Sequence, residues 1–374
     1  MKGFKRIAIP SDPVIFGLMM TSYSDQGATL KSGNVKIVAI WLCVVALLVF
    51  AMVILGGVTR LTNSGLSMVE WKPVTGWLPP IGAEAWDAEF EKYKAFPEYQ
   101  KVNQGMTISE FKGIFVFEYS HRLLGRTIGL AFFVPFVVLF LLRKIDRSLI
   151  PRLLFLFLLG GAQGAMGWIM VKSGLVDHPD VSHYRLTAHL GLACFIFIGL
   201  IWTVFDLILL KGREVGKSSM HLWTAGRVVF ALVFLQILIG GFVAGLNAGF
   251  VYNEWPMMGD GFIPDDLFHQ NPWYMNFLEN TTTIQFTHRI VAYAIFAAVI
   301  WLFFKARAEQ TPRRLKIAIH ILFCTILLQI ILGIWTLMAV VPVMLGAFHQ
   351  AGGLFVLGAA TFVMHQVSAI KHRG

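Results

Sequence analysis

The chain has 374 residues, of which 56% are hydrophobic and only 14% charged, with a formal net charge of +10. Soluble globular domains carry about 25% charged residues, so this composition excludes a soluble cytosolic enzyme and a disordered chain. A basic excess in so apolar a sequence points to the cytoplasmic loops of a membrane protein rather than to a nucleic-acid partner.

The first 35 residues read as a cytoplasmic arm carrying Lys2, Lys5, Arg6 and Lys31. Its apolar stretch 14–20 is too short for a cleaved signal peptide followed by a separate span. Eight runs long enough to cross a bilayer as helices follow, at about 36–58, 118–142, 150–171, 185–210, 222–246, 281–304, 315–340 and 344–369. The expected fold class is therefore all-α, a polytopic membrane protein of eight transmembrane helices. Lys and Arg cluster in the arm, in the second connection (Arg143, Lys144, Arg147, Arg152), in the fourth (Lys211, Arg213, Lys217), in the sixth (Lys305, Arg307, Arg313, Arg314, Lys316) and in the tail. None occurs between Arg227 and Arg289, a stretch that holds Glu254, Asp260, Asp265, Asp266 and Glu279. The positive-inside rule then places both termini in the cytoplasm and the long connections outside. Cys43, Cys194 and Cys324 lie in apolar runs without CxxC or CxxCH spacing. That argues against structural zinc, covalent c-type heme or a disulfide scaffold, and each reads as a small buried hydrophobe.

The chain repeats itself. Gly56-Gly57, Asn63, Gly65 and Glu70-Trp71 recur 184 residues later as Gly240-Gly241, Asn247, Gly249 and Glu254-Trp255. Glu118-Tyr-Ser-His121-Arg122 recurs as Gln285-Phe-Thr-His288-Arg289, Gln163…Gly167 as Gln329…Gly333, and the region of His189 as that of His349. Four spans is an even number, so both copies point the same way, which predicts two parallel-repeat four-helix bundles over 36–214 and 215–374. The recurring glycines read as sites of close helix packing.

Four histidines, His121, His189, His288 and His349, fall in the even-numbered spans, one to two turns from the external end. A buried imidazole in a membrane is a functional hypothesis by default. Two neutral imidazoles on facing helices of a bundle can hold a heme iron from both sides, whereas zinc takes more protein ligands. His320 and His365 have no repeat partner and read as structural or interfacial. Arg122, Arg126, Arg185 and Arg289 lie near the external boundary, where a guanidinium can fork onto a carboxylate such as a heme propionate or pair with loop acids. The copies differ at one informative place. Glu118 precedes His121 by one turn, on the same helical face, and its counterpart Gln285 cannot titrate. A carboxylate there fits a site that does chemistry, an amide a site that carries electrons.

These motifs resemble the heme A synthase family of cytochrome oxidase assembly proteins, over about residues 35–366. The resemblance rests on 56–68 (GGVTRLTNSGLSM), Trp71-Lys-Pro73, Glu118-Tyr-Ser-His-Arg122 and the four histidines. With Trp77-Leu-Pro-Pro80 in a long first loop and no cysteine in the external loops, the chain is similar to the mitochondrial and proteobacterial branch. The resemblance implies an oxidoreductase of the bacterial inner membrane that converts a methyl group of heme O to a formyl group by two successive hydroxylations, giving heme A. It implies heme b held by His288 and His349, heme O bound by His121 and His189 with Glu118 assisting catalysis, and Arg122, Arg126 and Arg289 as cofactor-binding residues. The expected partners are heme O synthase, cytochrome oxidase assembly factors and a further electron-transfer partner. A bis-His membrane cytochrome b working between quinol and an acceptor, or a heme carrier without redox chemistry, is the alternative that the histidines alone leave open.

Overall fold

A computed structural model describes residues 32–71, 75–174, 181–209 and 220–369. Most of the expected N-terminal arm, residues 1–31, lies outside the described residues, as do Lys72 and Pro73 of the signature. Helices in chain order are α1 (Ser32–Leu61), α2 (Ala83–Lys94), α3 (Pro97–Lys101), α4 (Ile108–Leu141), α5 (Ile150–Gly174), α6 (His183–Leu209), α7 (Met220–Gly245), α8 (Asn276–Glu279), α9 (Thr281–Ala308), α10 (Arg313–Met338) and α11 (Val343–Ala369). Eight of these, all but α2, α3 and α8, are long and apolar enough to cross a membrane. The protein is therefore an all-α, multi-pass membrane protein. Such helices are apolar on every side because one face meets other helices and the other meets lipid. In α1, Val38, Leu42 and Val45 are buried while Ile40, Val44 and Leu47 are exposed.

α1 packs on α4 and α6, and α5 on α6; α7 packs on α9 and α11, and α10 on α9 and α11. α4 and α5 barely touch, whereas α9 and α10 are well packed. The two groups meet where α1 and α6 lie against α11 and where α6 lies against α7. α6 is accordingly the most enclosed span, 67% buried over its apolar window against 6% for α5. Small residues permit these approaches: Gly57 of α1 leaves room for the Gln350 side chain of α11, and Gly241 of α7 for Thr187 of α6. Gln350 then donates to the Val53 carbonyl at 2.9 Å.

Two details depart from the sequence expectation. α4 begins ten residues before the expected span at 118, capped by a Thr107–Glu110 capping box. The apolar stripe of its first turns, Phe111 and Phe115, is covered by Phe90 and Tyr93 of α2, with Trp86 and Tyr99 alongside. Cys43 and Cys324 are exposed on the bundle surface, and only Cys194 is a buried hydrophobe; a thiol is apolar enough to face lipid.

At the end of the bundle away from the four histidines lies a buried polar cluster. Arg152 Nη1 donates to Asp206 Oδ2 at 2.6 Å, and His365 Nε2 lies 3.0 Å from Asp206 Oδ1. Gln366 Nε2 lies 3.0 Å from His365 Nδ1, and the Trp202 ring meets the imidazole edge-on. All three charged or titratable members are more than 90% buried. His365 is thus structural, as expected, and its partner is an aspartate on α6. His320 is bonded to the Lys316 carbonyl and packs on Phe303.

Candidate functional site

Each of the four histidines faces a glycine on the preceding long helix. A Cβ at Gly56 would lie 3.2 Å from His121 Nε2, at Gly167 3.2 Å from His189 Cε1, at Gly240 3.4 Å from His288 Cε1 and at Gly333 2.8 Å from His349 Cε1. The absent side chain leaves room for an imidazole close against the neighbouring helix. The couples are α1–α4, α5–α6, α7–α9 and α10–α11, so the glycines recurring in the sequence are the backs of the histidine niches.

The His288 and His349 rings meet edge-on, with centroids 6.5 Å apart and planes inclined by 66°. A metal bonded to one nitrogen of each ring at about 2 Å requires centroids roughly 6 Å apart. His121 and His189 are also within electrostatic reach of each other. Nδ1 of His189 and Nδ1 of His288 are buried without a hydrogen-bond partner, although buried polar atoms are almost always paired. Among the described residues no three His, Cys, Asp or Glu side chains gather around one point. Two pairs of imidazoles, each with one unsatisfied ring nitrogen, glycine-backed and walled by apolar helices, fit a heme held on both faces, although Gln329 Nε2 lies 3.1 Å from His349 Nδ1.

Three glutamines support this arrangement. Gln163 donates to the His189 carbonyl at 3.1 Å, Gln236 to the His288 carbonyl at 2.9 Å and Gln329 to the His349 carbonyl at 2.8 Å. Each stands one turn before the glycine of its own couple. The recurring Gln-x3-Gly spacing was visible in the sequence, but Gln236 as its third instance emerges only from the packing.

Glu118 is not a free acid. It is 3% exposed, and its Oε2 accepts from Ser67 Oγ and the Met68 N–H, both at 2.8 Å. Its Oε1 pairs with Arg122 at 2.5 Å, and Arg122 also donates to the Met68 and Glu70 carbonyls at 2.7 Å. The carboxylate and guanidinium therefore pin the connection after α1 over the His121 niche. At the matching place Gln285 donates to the Tyr252 carbonyl at 2.9 Å, and Arg289 donates to the Met257 and Tyr252 carbonyls. Arg126 donates to Gly76 and stacks over Trp77. Ser67 and Met68, in the signature after Gly56, are thus partners of Glu118 that the sequence did not single out. The repeated Asn63 and Asn247 both adopt left-handed backbone after a helix end, with φ of 49° and 55°, a conformation asparagine tolerates. Arg60 donates to both side chains, joining the two loops above the niches.

An eight-span bundle that turns four glycine-backed histidines inward, with an acid beside one of them, defines a membrane protein built around a paired-imidazole centre. The chain belongs to the cytochrome oxidase assembly protein family, whose model matches residues 39–361. It is 50% identical to a heme A synthase of Parvibaculum lavamentivorans over 90% of this chain and 95% of that protein. A heme A synthase of Nitrosospira multiformis is 50% identical over 93% of this chain and 98% of its own length. A heme A synthase of Flavobacterium johnsoniae is 44% identical over 91% and 100%.

Proposed function

We propose that the protein is a heme A synthase of a bacterial inner membrane, an oxidoreductase that converts a methyl group of heme O to the formyl group of heme A by two successive hydroxylations. The observation that carries this reading is the set of four matched glycine–histidine couples with a carboxylate at one pair and an amide at the other. A symmetrical electron carrier has no use for that difference. The reading divides the chain into two parallel four-helix bundles, 36–214 for the substrate and 215–374 for the resident cofactor, after the arm 1–35. Both termini are assigned to the cytoplasm by the distribution of Lys and Arg.

In this assignment His288 and His349 hold heme b, and the closeness of the two rings and the Gln236 and Gln329 bonds support it. His121 and His189 receive heme O. Bound heme supplies the iron redox chemistry; the protein supplies position and exclusion of water. Glu118, held by Ser67, Met68 and Arg122, fixes the loop that closes the substrate niche and keeps an anionic oxygen one helical turn from His121. Arg122, Arg126 and Arg289 carry positive charge at the niche mouths, where they favour the propionate end of a macrocycle. Heme O synthase is the expected supplier of substrate, and assembly factors of cytochrome oxidase the expected recipients of product. Co-expression with a heme O synthase and extraction of the pigments tests the reading. Accumulation of heme A is expected; heme O left unchanged in the presence of folded protein overturns it.

A further inference from the structure

Three of the four histidine niches share a hydrogen bond that the fourth lacks. Counted along the repeat, the position of Gln236 corresponds to Met52, one turn before Gly56. Met52 cannot donate, and among the described residues no side chain donates to the His121 carbonyl. The methyl end of Met52 instead packs against Gly125, where an added Cβ would lie 3.3 Å from Met52 Cε. Gly125 is one turn beyond His121, and its counterpart after His288 is Ala292. The replacement is therefore paired: Gln236 with Ala292 in one place, Met52 with Gly125 in the other. A directional tie between helices is exchanged for a sliding contact between a flexible thioether and bare backbone. The same part of the molecule is loosely built, since α4 and α5 barely touch while α9 and α10 are packed.

A metal that performs chemistry keeps a position open, whereas an electron carrier keeps its ligands fixed. We propose that Met52 is a positioning residue of the substrate site: by withholding the interhelical bond that secures His189, His288 and His349, it lets His121 withdraw from the iron while His189 stays in place. The inference rests on the assignment of His121 and His189 to heme O. Glutamine at position 52 would bring back the tie, and an interhelical hydrogen bond in a membrane corresponds to roughly a three- to fifteen-fold bias between bound and withdrawn states.

The test uses the full-length protein purified with heme O after co-expression with a heme O synthase, reduced, and titrated with carbon monoxide as a probe of an open iron position. Met52→Gln is expected to weaken carbon monoxide binding to the substrate heme by about three- to fifteen-fold, without changing heme O content or the heme b spectrum. Met52→Leu, which also cannot donate, keeps the wild-type affinity. The reciprocal variant Gln236→Met, which removes only the bond to the His288 carbonyl, is expected to admit carbon monoxide to the resident heme, and it carries the test if Met52→Gln does not accumulate. Unaltered carbon monoxide affinity in Met52→Gln with normal heme O content, or a closed resident heme in Gln236→Met, overturns the proposal. Heme O content unchanged in the His121→Ala, His189→Ala double variant overturns the underlying site assignment instead.

Discussion

Replacing Glu118 by Gln separates two roles that its position combines. The isosteric amide can keep the Ser67 and Met68 donors on its oxygen, but its NH2 then faces Arg122 in place of a carboxylate oxygen at 2.5 Å. Loss of a charge-assisted hydrogen bond costs about 1.5–3 kcal/mol, and the donor–donor contact adds to it. A total of about 3 kcal/mol corresponds to roughly a hundredfold shift in the docking of the loop over the niche. The assay pairs pigment extraction with hydrogen exchange of residues 62–71. We expect heme A output to fall at least about tenfold, heme b to be retained and exchange in the loop to rise. Ser67→Ala, which removes one neutral donor, should produce a smaller change in the same direction. Loss of output with loop protection unchanged would assign the effect to the carboxylate's chemistry alone. Undiminished heme A with an unchanged loop would refute the reasoning altogether.

Gly333→Leu should expel the His349 ring, since even a Cβ would lie 2.8 Å from Cε1; optical spectra should show loss of the low-spin bis-His heme b. Asp206→Ala removes the carboxylate that Arg152 and His365 share, and removing one partner of a buried ion pair costs about 3–5 kcal/mol, to be read as a fall in Tm in detergent. Burial pushes the Tyr93 phenol, which accepts from Asn103 and donates to Glu98, well above its ordinary range. A raised folded-state value means that its contribution to stability is intact below the unfolded phenol's pKa and is lost as pH rises above it. The melting temperature in detergent should therefore fall above about pH 10, and Tyr93→Phe should show a smaller alkaline fall; equal alkaline sensitivity in the variant would contradict it.

The spans were legible because lipid demands unbroken apolar helix, and the sequence has no other way to satisfy its backbone. The N-terminal extension of α4 was not, because Glu110 and Lys112 interrupt the apolar window and the covering partner, α2, is itself charged along its exposed side. The histidines stood out as polar residues in apolar runs. Their glycine backs were visible only as recurrences, since deciding that Gly333 faces His349 requires the relative rotation of two helices. Glu118 was recognisable as an acid without a counterpart, but its bonds to Ser67 and Met68 depend on a loop folding back across 50 residues. Asp206 sits in an otherwise apolar run, and nothing local in the sequence ties it to His365, 159 residues away.

The Arg152–Asp206–His365 contact has a consequence for how such a molecule can be divided. Along the repeat, Asp206 corresponds to Gln366, Phe205 to His365 and Arg152 to Ala318. Two copies of the first four spans set side by side would bring phenylalanine where the imidazole belongs, and two copies of the last four would have neither acid nor guanidinium. The polar joint is complementary only between unlike segments, so it favours their hetero-association over either self-pairing. At this joint the first four spans and the last four cannot substitute for one another.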